Sequence, residues 1–103
     1  MKFEKKCGAM ANYRISEDAK TDLKRIYRHG IQEYGEAQAD FYYEELFGRF
    51  EQLAEQPYLY QAVDDIREGY RRSVCGVDSI YYRIDGELVE IISIIGRQDL
   101  ERL

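Results

Sequence analysis

At 103 residues, 45% apolar and 34% charged, the chain suits one globular domain rather than a disordered segment. A formal net charge of −5 argues against tight, non-specific or directly sequence-specific nucleic-acid binding, which takes many Lys or Arg contacts to phosphate. No apolar run approaches the ~20 residues of a membrane span, and Met1 to Met10 lacks the apolar stretch of a signal peptide. Cys7 and Cys75 cannot make a disulfide framework, so a reduced, cytoplasmic setting is the simpler expectation.

Residues 1–11 read as a flexible leader, with Met10 an alternative start; residues 12–99 read as a single domain and 100–103 as a charged tail. Asn12 to Ser16 is a short strand, with Tyr13 and Ile15 on one side and Arg14 on the other. Ser16 is placed to cap a helix, and Glu17 and Asp18 put negative charge in its first turn, where the helix dipole favours it. Ala19, Leu23, Ile26, Tyr27, Gly30 and Tyr34 follow helical spacing, and Gly35 ends the run. A second helix starts near Glu36 and runs to about Gln56, with a stripe of Ala39, Tyr43, Leu46, Phe47, Phe50 and Leu53. Gly48 inside it suggests a close helix–helix contact. Pro57 stops it, and the short link between the helices demands an antiparallel hairpin. Residues 57–69 are irregular, with Tyr58, Leu59, Tyr60 and Val63 expected to tuck beneath them.

Three strands follow: Tyr70 to Cys75, Ser79 to Ile84, and Leu88 to Ile95. Asp85-Gly86 between apolar, β-branched runs is a strong hairpin signal. Taken as the two-residue turn, it pairs Ile84 with Glu87, Tyr82 with Val89 and Ile80 with Ile91. Alternation then puts Ile80, Tyr82, Ile84, Val89 and Ile91 on a core face, with Val74 beside them. Ser79, Tyr81, Arg83, Leu88, Glu90, Ile92 and Ile94 lie on the opposite face. The order is β-α-α-β-β-β, and helices grouped before strands predict an α+β domain with an N-terminal helix hairpin packed on an antiparallel sheet.

On the second face, Tyr81, Ile92 and Ile94 form an apolar row that needs a cover, and Arg14, Arg71 and Arg83 gather beside it. A partner segment there or in the groove beside the helix hairpin, self-dimerisation, and cover by the 57–69 loop all account for that row. An exposed sheet edge would accept an added strand. The arginines fit an anionic partner, or a solvated face with cross-strand pairs such as Arg83 with Glu90. Cys7 and Cys75 have no metal-ligating neighbours, the glycines form no phosphate loop, and a lone His29 on a helix is read as solvated or packed; neither metal nor cofactor is expected.

Four stretches together resemble the ParE toxins of the ParE/RelE superfamily of type II toxin–antitoxin systems. They are Tyr13-Arg14-Ile15-Ser16 with Ala19 and Asp22-Leu23; Tyr34-Gly35-Glu36-Ala37-Gln38-Ala39; Leu53-Ala54-Glu55-Gln56-Pro57; and Asp65 to Arg72 with Gly76, Ile80-Tyr81-Tyr82-Arg83 and Ile94 to Asp99. The resemblance covers residues 12 to 99. It implies a small cytoplasmic toxin of the plasmid-stabilisation kind, in a hetero-oligomer with a cognate, ParD-like antitoxin and acting on DNA gyrase. RelE-type relatives share the fold and cut mRNA in the ribosome, and a third alternative is a non-toxic interaction module. Some RNA-cleaving relatives carry an Arg where this chain resembles them at Ser79, and a His or Tyr where Ile95, Gly96 and Arg97 stand. Many ParE-like members have a His where Asp78 stands. The resemblance therefore favours a non-enzymatic toxin, with no catalytic residue and with Arg14, Arg71, Tyr81, Arg83, Ile92, Ile94 and Arg97 as candidates for binding antitoxin or target.

Overall fold

A computed structural model describes residues 12–96. Arg97, the leader and the tail lie outside the described residues. The elements are β1 (Tyr13–Ile15), α1 (Glu17–Tyr34), α2 (Glu36–Glu55), β2 (Tyr70–Cys75), β3 (Asp78–Asp85) and β4 (Leu88–Gly96). Ser16 caps α1 as its sequence predicts, its Oγ accepting from the Ala19 amide at 3.0 Å. The same hydroxyl donates to the Ile92 carbonyl at 2.7 Å, so the cap also ties α1 to β4. Gly35 joins the helices directly: its amide donates to the Ile31 carbonyl, and its carbonyl accepts from the Ala39 amide.

The sheet runs β1-β4-β3-β2 and is mixed rather than purely antiparallel, because β1 lies parallel to β4. The two helices separate β1 from the meander, which is length enough for a parallel crossover. The helix hairpin covers one face. Leu23, Leu46, Phe50, Leu53, Ile80, Tyr82, Val89 and Ile91 form the core between the layers. A smaller cluster of Val63, Tyr81 and Ile95, with Tyr70 against it, sits on the other face.

The β3–β4 register differs from the predicted one. Asp85 pairs with Leu88 and Ile84 with Val89, so Gly86 and Glu87 are the central turn residues. Gly86 has φ 65° and, among the described residues, no non-glycine residue has positive φ, which fits a turn with glycine at its first central position. A one-residue move of the turn shifts pairs without exchanging faces here, and Tyr82 and Val89 stay on the core side. A bulge does exchange faces. Tyr82 pairs with Ile91 but Tyr81 with Ser93, leaving Ile92 as the extra residue. Beyond it Ile94 turns into the helix-covered core and Ile95 to the other face.

Two further expectations are corrected. Nothing stands within 4 Å of a Cβ built at Gly48; the close helix approach is at Gly30, where a Cβ would lie 3.2 Å from Ala39 Cβ. Val74 is exposed at the β2 edge, and Cys75 takes the core position beside it. In the 57–69 loop Val63 is buried, whereas Tyr58 and Leu59 are exposed.

Candidate partner surfaces

Arg14 and Arg83 do meet on the face away from the helices. Arg14 lies 3.1 Å from Asp85 and 3.4 Å from Glu90; Arg83 lies 2.8 Å from Glu90 and 3.6 Å from Asp85. The two cations are thus matched by two carboxylates, and the cluster presents a balanced charge to solvent rather than an anion site. Arg71 is not with them. It pairs opposite Tyr82 on the helix side, donates to the Tyr60 carbonyl at 2.7 Å and stacks over the Tyr58 ring at 4.9 Å. The reason is strand parity: Tyr70 and Arg72, not Arg71, share the face of Arg83.

Tyr81 and Ile94 are fully buried and present no surface. Tyr81 is covered by Val63 of the 57–69 loop, and Ile94 was turned inward by the bulge. Ile92 alone of the apolar row stays partly open. It lines a small pocket of about 160 Å³ with Asp18, Arg67, Tyr70, Ser93 and Ile95.

The larger concavity lies elsewhere, in a groove of about 560 Å³ at the end of the helix hairpin, between α1, α2 and the β2–β3 turn. Its lining includes Arg25, His29, Tyr34, Gln38, Tyr42 and Val77. Tyr34 (71% exposed) and Val77 (82% exposed) stand on the groove, and Phe41 (62% exposed) adds to the exposed apolar residues of α2. Sequence reasoning missed this surface. A large ring off a helix's apolar stripe is a signal of such a surface, but Phe41, which stands so on α2, is not among the groove's lining residues. Val77 carried no such signal, since a single apolar residue in a turn is ordinary.

The groove floor is firmly built. The Tyr42 hydroxyl lies 2.7 Å from an Asp78 carboxylate oxygen and 2.8 Å from the Cys75 carbonyl, its single proton shared between these two acceptors, and so joins α2 to the β2–β3 turn. Burial, followed by the Asp78 hydrogen bond, pushes the Tyr42 hydroxyl far above its ordinary range, so it stays a donor. Asp78 is therefore a buried acceptor in a structural latch. Arg25 donates to the Ile94 carbonyl at 3.1 Å while Asp22 accepts from the Ile94 amide at 3.0 Å. His29 is exposed on α1. Among the described residues no three His, Cys, Asp or Glu side chains gather as a metal site, and no helix is long and apolar enough to cross a membrane.

Comparison with known proteins adds the decisive observation. The family model described as the ParE toxin of the type II toxin–antitoxin system parDE matches residues 13–101. The chain belongs to the ParE toxin family. Toxin ParE1 of Caulobacter vibrioides is 40% identical over 86 residues, covering 84% of this chain and 88% of that protein. Toxin ParE1 of Mycobacterium tuberculosis is 30% identical over 94 residues, covering 89% and 96%. The fold is shared with a chain of the chromosomal ParDE toxin–antitoxin system from P. aeruginosa, at TM-score 0.74 and 19% identity, covering 86% of this chain and 98% of that one. It is also shared with a chain of the toxin–antitoxin complex RelBE2 from Mycobacterium tuberculosis, at TM-score 0.60 and 21% identity, covering 84% and 98%. The α+β, ParE/RelE-like architecture is thereby established.

Proposed function

We propose that this ParE-family chain works in the cytoplasm as a toxin that binds and inhibits DNA gyrase, without enzymatic activity, and that a cognate antitoxin neutralises it. The carrying observation is family membership across residues 13–101 together with an apolar groove rimmed by exposed Tyr34 and Val77. A binding toxin needs an exposed, pre-formed apolar surface on a rigid base. The Tyr42–Asp78 latch and the Asp22 and Arg25 contacts to Ile94 supply that base. RNA cleavage needs groups that activate a 2′-hydroxyl and protonate a leaving oxygen. His29 stands exposed on α1, and Tyr81, Ile94 and Ile95 are buried, so these residues offer no such grouping.

The test is a gyrase supercoiling assay with the purified chain, beside a ribosome-dependent mRNA-cleavage assay, each with and without the antitoxin encoded next to it. Inhibited supercoiling, intact mRNA and relief by antitoxin are expected. Cleaved mRNA with normal supercoiling would replace this reading with the RelE-type one. Inactivity in both assays would leave an interaction module.

A further inference from the structure

We propose that the small pocket at Ile92 binds a free amino acid with a short aliphatic side chain, a zwitterion seated between Asp18 and Arg67. The pocket shares no lining residue with the groove at the end of the helix hairpin, so the proposal stands apart from the toxin reading. The bulge in β4 builds one wall. Under strict alternation Ile92 and Ser93 would face opposite ways. The extra residue at Ile92 lets Ile92, Ser93 and Ile95 line one concavity. A second wall comes from the turn after Val63. The Ile66 and Arg67 amides both donate to the Val63 carbonyl, at 2.9 and 3.1 Å, and the Tyr70 amide donates to the Arg67 carbonyl at 3.1 Å. The Arg67 guanidinium lies over the Tyr70 ring, 5.8 Å from its centroid, so the stack holds the cation beside a ring that also lines the pocket. Asp18 enters from the first turn of α1.

The polar groups of this lining are not spent on one another. Asp18 and Arg67 carry opposite charges on one pocket, yet no ion pair joins them, and neither is paired with another charge among the described residues. Ser93 is only 7% exposed, and no described residue hydrogen-bonds its hydroxyl, whereas a buried hydroxyl ordinarily finds a partner. Ile66, Ile92 and Ile95 supply the apolar remainder.

Charge and size together decide the chemistry of the occupant. A ligand with a single charge would be drawn to one of Asp18 and Arg67 and repelled by the other, and a like charge brought close is costly. A zwitterion matches both. Its carboxylate meets the planar fork of Arg67, its ammonium meets Asp18, and the Ser93 hydroxyl donates to the carboxylate. Its side chain lies against the isoleucines. A protein cavity of about 150 Å³ holds benzene, whereas pockets for drug-sized ligands run to about 300–1,000 Å³. At about 160 Å³ this pocket suits a molecule the size of valine and excludes a nucleotide.

Titration of the full chain with L-valine, followed by the amide resonances in a nitrogen–proton correlation spectrum, tests this. Saturable shifts centred on Ile66, Arg67, Ile92 and Ser93 are expected, with half-saturation at about 1 mM. Shifts that never saturate, or none at these residues, would mean that the pocket holds water alone and would overturn the proposal. Isovalerate keeps the carboxylate and side chain without the ammonium, and isobutylamine keeps the ammonium and side chain without the carboxylate. Each should bind at least tenfold more weakly than valine, and equal binding of either would overturn the zwitterionic character. Asp18 and Arg67 are exposed, so Asp18→Asn and Arg67→Gln leave the core intact. Both should weaken valine at least tenfold, and only Arg67→Gln should also weaken isovalerate. Unchanged valine affinity in either variant would overturn the assignment of that residue and the proposal with it.

Discussion

At the scale of single residues, two buried polar groups have opposite meanings. Asp22 is almost fully buried, yet its carboxylate holds the Ile94 amide and lies 3.5 Å from Arg25. Removing it leaves a buried amide without a partner, which costs more than the bond itself contributed. Asp22→Ala should therefore lose about 3 kcal/mol of unfolding free energy, most of it from that orphaned group. The Tyr81 hydroxyl is buried with no hydrogen-bond partner among the described residues. Tyr81→Phe should be neutral or gain up to about 1 kcal/mol, since it removes an unsatisfied group and keeps the ring. Urea titration of both variants checks the pair; a clear loss for Tyr81→Phe would show that its hydroxyl is paired after all.

At the scale of elements, the glycines separate positions that tolerate a side chain from one that does not. Gly76 joins β2 to β3 at φ 62°, and a Cβ there would sit 2.6 Å from Tyr42 Cε1. That ring is held by the hydrogen bonds to Asp78 and Cys75, so it cannot swing away cheaply. Gly76→Ala should cost about 1–3 kcal/mol through backbone strain and the displaced latch. Gly48 faces open space inside α2, and Gly48→Ala should gain up to about 1 kcal/mol by helix propensity. Thermal unfolding of the two variants should move in opposite directions. If Gly48→Ala lowered the melting temperature, the open space beside α2 would be refuted.

At the scale of the whole molecule, tyrosine dominates the packing. Ten are present in the chain, and several couple the layers. Tyr82, deep in the core, donates to the Pro57 carbonyl at 2.8 Å and so ties β3 to the segment leaving α2. Burial pushes the hydroxyls of Tyr82 and Tyr43 up to about 12. An unfolded tyrosine ionises near ~10. Between those values the folded chain holds protons that the unfolded chain has released, so stability is fully present below pH ~10 and falls as pH rises through about 12. The urea midpoint should drop between about pH 10 and about pH 12, and Tyr82→Phe should flatten the drop. An identical slope in that variant would exclude Tyr82 as a source.

The chain order, the capped first helix, the direct turn at Gly35 and the inward set Ile80, Tyr82, Val89 and Ile91 were legible in the sequence, because each rests on contacts or periodicities a few residues long. The parallel seat of β1 and the bulge at Ile92 were not, because the first joins residues at opposite ends of the chain and the second is set by how β4 seats against β1 and α1, while cover of Tyr81 by Val63 of the 57–69 loop was one of several alternatives the sequence left open. The side chains of Asp22 and Arg25 on the Ile94 backbone illustrate the difference: nothing local to β4 announces that its edge is sealed from α1. Local pattern determined which residues make strands and helices. Only the assembled sheet decided which arginines meet and which tyrosines reach the surface.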